Sequence, residues 1–139
     1  MPETINLEPP PVRRPRLRRT VTLLVAAAVA LAVWVVGVPL AGLDLTLGSG
    51  TEQQTVTPAS VVAVPLLVGG AGWALLAFLE GRFRGGRRAW LVTAWAVLVL
   101  SLLGPVTSGA SGGVLAVLLG MHVLVGVTLI VGLAPTSAR

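Results

Sequence analysis

Four long apolar stretches occupy most of this chain of 139 residues, and short polar segments separate them. They cover residues 21–41, 61–79, 89–106 and 113–133, and none of them contains a charged residue. As a helix rising 1.5 Å per residue, the first stretch would reach about 31 Å, which matches a hydrocarbon core about 30 Å thick. The pattern predicts an all-α integral membrane protein in which four transmembrane helices form a bundle.

The basic residues lie next to those ends of the apolar stretches that a four-span topology places on one side of the membrane. Five arginines precede the first stretch, four lie between the second and the third, and Arg139 follows the fourth. The other two links carry Asp44 and Glu52 as their only charged residues. Cytoplasmic loops are enriched in arginine and lysine, and an even number of spans places both termini on the same side. We therefore predict that both termini lie in the cytoplasm.

The chain divides into a tail, a transmembrane domain and a second tail. Residues 1–19 hold five prolines and no helical period, which predicts a disordered basic cytoplasmic tail. Residues 20–134 form the predicted domain, and residues 135–139 form a short cytoplasmic tail. A cleaved export signal over residues 1–41 is the alternative. We disfavour it because the apolar region is too long for a signal peptide.

The link of residues 42–60 is the longest between predicted spans, on the outer side. Residues 43–47 alternate apolar and polar side chains, a Gly-Ser-Gly turn follows, and residues 55–57 can return. This alternation predicts a small β-hairpin. A lone hairpin is marginal in water, so it must pack on the bundle or on a partner. A cap over the helix ends is the preferred interpretation, and a recognition surface is the alternative.

Composition and charge narrow the class of partner. Hydrophobic residues make up 55% of the chain and charged residues 11%, with a formal net charge of +5. The arginines border apolar spans, so we expect anionic lipid headgroups on the inner face as their partners, and no nucleic acid. The headgroup contacts are predicted for the inner loop, at Arg82, Arg84, Arg87 and Arg88. The absence of cysteine excludes disulfides and thiolate chemistry.

His122 is the only ionisable residue within a predicted span, and it lies near the middle of the fourth. An ionisable residue at that depth suggests a functional site. The hydroxyl of Ser101, in the third span, is the candidate partner for its ring. The alternative is a neutral histidine that joins two helices by a hydrogen bond. We prefer this structural interpretation because no acidic residue lies within a span to complete a proton relay.

Small residues recur at four-residue spacing in the fourth span. Residues four apart share one face of a helix, and small side chains there allow close approach of a neighbouring helix. The sequence therefore predicts a helix-packing face at Gly112, Ala116 and Gly120, with Gly126 further along the helix.

The succession of short motifs resembles a family of small four-span membrane proteins of unknown function found in actinobacteria. The likeness begins with the arginine-rich tail and an Ala/Val-rich span that ends near Trp34 and Pro39. It continues through residues 43–46, 72–76, 102–105, 121–122, 125–126 and 129–130. The resemblance implies a location in a bacterial plasma membrane and brings no known activity.

Three classes of function follow from these features. The preferred one is a structural, interaction or accessory subunit that assembles through helix packing, as a homo-oligomer or within a larger membrane complex. The alternative is a small homo-oligomeric transporter or channel that uses His122. An enzyme or haem carrier is disfavoured, because one histidine without cysteine or an intramembrane carboxylate is a poor basis for catalysis or metal binding. We therefore predict no catalytic residues, no cofactor and no metal.

Overall fold

A computed structural model describes residues 14–48, 53–82 and 85–134 of the chain. The protein is mostly helical, with four long helices and one short one among the described residues. The helices are α1 (Arg14–Val35), α2 (Pro58–Arg82), α3 (Gly86–Ser101), α4 (Leu103–Thr107) and α5 (Gly112–Leu133). A π-helical turn, Val36–Leu40, continues α1, and two short strands, β1 (Thr46–Leu47) and β2 (Gln54–Thr55), precede α2.

The prediction of four long apolar helices is confirmed. The segments Arg16–Leu40, Pro58–Arg82, Gly86–Thr107 and Gly112–Leu133 are each long and apolar enough to cross a membrane. Between 17% and 28% of the residues in the most apolar part of each segment are buried within the chain. Most of the apolar surface therefore faces outward, as it does in proteins surrounded by lipid.

The long helices run alternately up and down around a small core. Helix α1 packs on α5 and on α2, and α3 packs on α2 and α5 from the other side. Close contacts show that α1 and α5 are antiparallel, because Thr22 lies against Gly132 and Val117 lies against Gly37. The buried core consists of large side chains and one alanine: Ala26, Leu76, Trp90, Leu129 and Leu133.

Helix α1 begins earlier than the apolar pattern predicts. It starts at Arg14, so residues 14–19 are helical rather than extended. Pro15 is tolerated there because the first turn of a helix does not use its own N–H groups. The rest of the predicted amino-terminal tail, residues 1–13, and the carboxyl-terminal tail, residues 135–139, lie outside the described residues.

Pro39 and Pro105 interrupt the regular α-helix, the first just after α1 and the second within the predicted third span. The π-helical turn contains Pro39, and the N–H of Ala41 bonds the carbonyl of Val36 five residues earlier at 3.0 Å. The predicted third span is divided at Leu102 into α3 and α4. Pro105 cannot donate a hydrogen bond to the carbonyl of Ser101, which accounts for this break.

The link between α1 and α2 contains the β-hairpin that its alternation predicts. Strands β1 and β2 pair antiparallel, with Thr46 opposite Thr55. The hairpin is attached to the bundle, because the indole N–H of Trp34 donates to the carbonyl of Val56 at 2.9 Å. Leu45, just before β1, is buried at 2% exposure. Residues 49–52, between the strands, lie outside the described part of the chain.

Candidate functional site

His122 lies at the middle of α5, on the stripe of positions that faces the core. Leu118 and Leu129, which flank it along this stripe, are buried, and His122 itself is partly buried. Its Nδ1 atom lies 2.8 Å from the carbonyl oxygen of Leu118, one turn earlier in the same helix. Because a carbonyl oxygen only accepts hydrogen bonds, Nδ1 is the donor in this contact.

Ser101 reaches the same depth as His122 on the neighbouring helix. Leu98 of α3 lies against Gly126 of α5, and these helices are antiparallel, so Ser101 falls level with about residue 123. The hydroxyl of Ser101, however, donates to the carbonyl of Leu98 at 2.7 Å. Over the described residues, no hydrogen bond joins Ser101 to His122. Each of the two polar side chains is paired within its own helix.

The stripe of small residues in α5 does not act as one packing face within this chain. Among the described residues, no atom apart from the local helix backbone lies within 4 Å of the position that a Cβ on Gly112 or Gly120 would occupy, and Ala116 is exposed. Gly126 is the exception, because a Cβ there would meet the side chain of Leu98. The small residues that the four-residue spacing singled out therefore lie in different environments.

Other glycines make the close helix contacts that the spacing did not single out. In α2, a Cβ on Gly69 would meet Leu23 of α1, and one on Gly72 would come 3.2 Å from the indole of Trp90. At the end of α5, a Cβ on Gly132 would meet Thr22. These contacts depend on which face of each helix meets a neighbour, and a count of spacings does not contain that information.

The basic end of the bundle consists of the start of α1, the turn between α2 and α3, and the end of α5. The predicted headgroup contacts Arg82, Arg87 and Arg88 lie here with exposed side chains, and Arg84 lies outside the described residues. Gly86 begins α3 at a tight turn, where a Cβ would come 3.1 Å from the Cα of Glu80. These three arginines are therefore accessible at the surface of the basic end.

A cluster at the basic end joins three helices, and the sequence analysis did not predict it. One guanidinium nitrogen of Arg19 in α1 donates to both carboxylate oxygens of Glu80 in α2, at 2.9 and 3.1 Å. Arg18 donates to the carbonyl of Ala134 at the end of α5. Thr22, only 8% exposed, donates to the carbonyl of Arg18 at 2.9 Å. A signal was present in the sequence, since Glu80 is the only acidic residue of the predicted inner loop, residues 80–88.

The electrostatics of this cluster favour the observed arrangement. The last carbonyls of a helix carry partial negative charge, so a guanidinium at the end of α5 is attracted to it. The pair of Arg19 and Glu80 is partly shielded, with side-chain exposures of 17% and 35%. Within residues 14–48, 53–82 and 85–134, no group of three or more His, Cys, Asp or Glu side chains could hold a metal ion.

A comparison with protein families gives one match. A family of unknown function, DUF6069, matches residues 10–139, nearly the whole chain. The chain belongs to this family. The match includes the basic end, all four long helices and the hairpin, so the architecture described above lies within the family's domain. No curated protein and no solved structure matches the chain.

Proposed function

We propose that this protein is a multi-pass protein of a bacterial plasma membrane that acts as a structural or accessory subunit. Four helices able to span the bilayer support the membrane location, and the arginines of the basic end, among them Arg16, Arg18, Arg82 and Arg87, favour cytoplasmic termini. The resemblance to small actinobacterial membrane proteins supports a bacterial host. The inner arginines, including Arg82, Arg87 and Arg88, bind anionic headgroups.

The hydrogen bonding of polar side chains within the spanning helices is the observation that carries the structural role. His122, Ser101 and Thr128 each have a partner in a carbonyl of their own helix. In the part of the chain that the structure describes, every buried side-chain nitrogen or oxygen has a hydrogen-bond partner. Such a bundle presents apolar surface to its surroundings, and this surface suits packing against lipid or another membrane helix.

Helix α3 is the best candidate for contact with another subunit. Its exposed residues Val92, Trp95 and Val99 are spaced three or four apart and share one face, and the exposed Leu103 and Val106 follow in α4. A tryptophan on such a face adds a large contact area. We infer that assembly, whether with a second copy or with a different membrane protein, uses this face.

Extraction into discs of the native membrane, followed by native mass spectrometry, tests the proposal. We expect a mass above that of one 14.2 kDa chain, either a whole-number multiple of it or the sum of it and a second protein. Trp95→Ala lowers the fraction of the larger species. Phe78→Ala, which shortens a side chain exposed at 64% on α2, is the matched control and leaves that fraction unchanged.

A single-chain mass in such discs, unaffected by either substitution, would contradict the structural role, and it would count equally against transport by a homo-oligomer.

Transport by a small homo-oligomer is the second candidate, and the position of His122 favours it. The ring lies at mid-span on the core-facing stripe, level with Ser101, and an imidazole at that depth is a candidate group for carrying a proton. Proton flux into vesicles that contain the purified protein tests this role. Transport predicts a flux that His122→Ala abolishes and that Met121→Ala, a change at the next residue, preserves. The absence of flux in the unaltered protein would exclude it.

A further inference from the structure

A shallow groove runs along the surface of the bundle between α1 and α5, next to the basic end. Val21 and Val25 line it on the α1 side, and Val127 and Val131 line it on the α5 side. Val21, Val25 and Val131 are exposed at 48%, 45% and 66%, so the walls of the groove are accessible from outside the chain. The groove is apolar along most of its length.

The groove exists because α1 and α5 approach each other closely at its floor. Gly132 has no side chain, and α1 comes so close that a Cβ there would meet Thr22. The valines on each side then stand above this floor as two ridges. The hydroxyl of Thr22 does not make the floor polar, because it donates to the carbonyl of Arg18 in its own helix.

Arg18 lies at the basic end of the groove and contributes its only charged side chain. Its guanidinium donates to the carbonyl of Ala134, which holds it beside the mouth of the groove. A guanidinium has five N–H donors, so several remain for an anion after this bond. The next residue, Arg19, differs because its guanidinium is already paired with both oxygens of Glu80.

We propose that this groove binds one anionic phospholipid from the cytoplasmic leaflet. The phosphate accepts hydrogen bonds from Arg18, and an acyl chain lies between the valines. This inference rests on the proposed membrane location and orientation. From Arg18 to Val25 the groove extends about 10 Å along α1, within the roughly 15 Å depth of one leaflet's hydrocarbon.

The combination of features selects a lipid over other occupants. A free phosphate would use Arg18 but gain nothing from the apolar walls. A second copy of the chain would bring an apolar helix and leave the cation without a counter-charge. An anionic phospholipid has the negative group and the hydrocarbon chain at the spacing that the groove presents.

Native mass spectrometry of the full chain in detergent, titrated with phosphatidylglycerol or phosphatidylcholine, tests the site. We expect the first phosphatidylglycerol to bind at a concentration about five-fold lower than phosphatidylcholine. Arg18→Gln removes this preference. Arg16→Gln is the matched control, because it removes the same charge from the same helix outside the groove, and it leaves the preference within about two-fold.

The apolar half of the site has its own variant. Val131→Phe fills the groove without changing any charge and weakens binding of the first phosphatidylglycerol. Val64→Phe makes the same change on α2, at a side chain with 54% exposure, and leaves binding unchanged. Glycerol 3-phosphate, which carries the charge but no acyl chain, does not displace the bound lipid at an equal concentration.

Three results would overturn the inference: equal binding of both lipids, equal losses in Arg18→Gln and Arg16→Gln, or no effect of Val131→Phe. Displacement by glycerol 3-phosphate would also overturn it, by showing a phosphate site without the groove. These results leave the membrane location intact. Failure of the proposed function would look different, because a chain that does not enter membranes would stay in solution without detergent and retain neither lipid.

Discussion

The two ends of the bundle are held together by different interactions. At the basic end, side chains connect three helices: Arg19 pairs with Glu80, Arg18 bonds the carbonyl of Ala134, and Thr22 packs on Gly132. At the hairpin end, which comprises the π-helical turn and strands β1 and β2, most bonds are between backbone groups. One side-chain bond, from Trp34 to Val56, attaches the hairpin to α1.

This difference indicates how each end responds to change. The basic end is stabilised by both close packing and charged pairs. Its stability should therefore be more sensitive to a change in side-chain volume than to ionic strength. The hairpin end depends on fewer side-chain contacts, the indole donor of Trp34 and the buried side chain of Leu45, because its two-residue strands are too short to be stable alone. Loss of the Trp34 donor should loosen the hairpin without separating the helices.

The largest effect is expected from Gly132→Ala at the basic end. The added methyl group would overlap Thr22, which must move, and overpacking of this kind costs about 1–3 kcal/mol of unfolding free energy. Gly120→Ala is the control on the same helix, where the methyl group enters open space and stability stays the same or rises slightly. Unfolding in mixed micelles of a mild detergent and dodecyl sulfate measures both. Equal stabilities of the two variants would show that α1 and α5 do not meet at Gly132.

A smaller and more local effect is expected from Trp34→Phe at the hairpin end. Phenylalanine keeps most of the ring but removes the N–H that bonds Val56, at a cost of about 1 kcal/mol. Hydrogen exchange of the amides in β1 and β2 should become faster while that of α5 is unchanged. Trp95→Phe, at an exposed position of α3, is the control and leaves the hairpin amides protected. Unchanged exchange in Trp34→Phe would mean that the hairpin is held by other contacts.

The charged pair at the basic end should contribute less than either of these. A partly exposed pair is worth about 0.2–1 kcal/mol, and salt screens it. A double-mutant cycle of Arg19→Gln and Glu80→Gln gives the coupling free energy directly. We expect a favourable coupling at low ionic strength that falls by about half or more near 0.5 M salt. A coupling free energy of zero at low salt would show that the pair does not stabilise this end.

The smallest effect is expected at mid-span, between the two ends. Because the Ser101 hydroxyl bonds Leu98 and His122 bonds Leu118, each within one helix, the two side chains should act independently. Ser101→Ala should cost less than about 0.5 kcal/mol, and a cycle with His122→Ala should show no coupling beyond about 0.3 kcal/mol. A coupling near 1 kcal/mol would restore the direct hydrogen bond between them that the sequence suggested.

The long apolar helices were predictable from sequence because hydropathy reports apolar surface, and most of the apolar surface of each helix faces outward. Predicted spans were shorter than the observed helices by a few residues, as for the predicted span of residues 61–79 and the observed helix Pro58–Arg82. A helix continues beyond the apolar region as long as its backbone bonds continue, and the polar residues at its ends do not stop it.

The contacts between helices were not predictable, because they depend on rotation and register. The spacing of Gly112, Ala116 and Gly120 is the same as that of a packing stripe, yet no described atom approaches either glycine where a Cβ would be. The pairing of Arg19 with Glu80 joins residues 61 positions apart, and only the antiparallel arrangement of α1 and α2 brings them together. The residue pattern of a single sequence indicates whether a helix lies in an apolar or a polar environment. It does not indicate which other helix packs against it.

The orientation of the bundle in the membrane is the central claim, and labelling of single cysteines tests it most directly. The natural chain contains no cysteine, so Gln53→Cys at the hairpin end and Gly85→Cys at the basic end are unique targets. Both positions are exposed, and a Cβ at Gly85 has no atom within 4 Å. In intact cells, a membrane-impermeant maleimide should label Gln53→Cys at once and Gly85→Cys only after permeabilisation. The reverse pattern, or equal labelling of both in intact cells, would contradict the account.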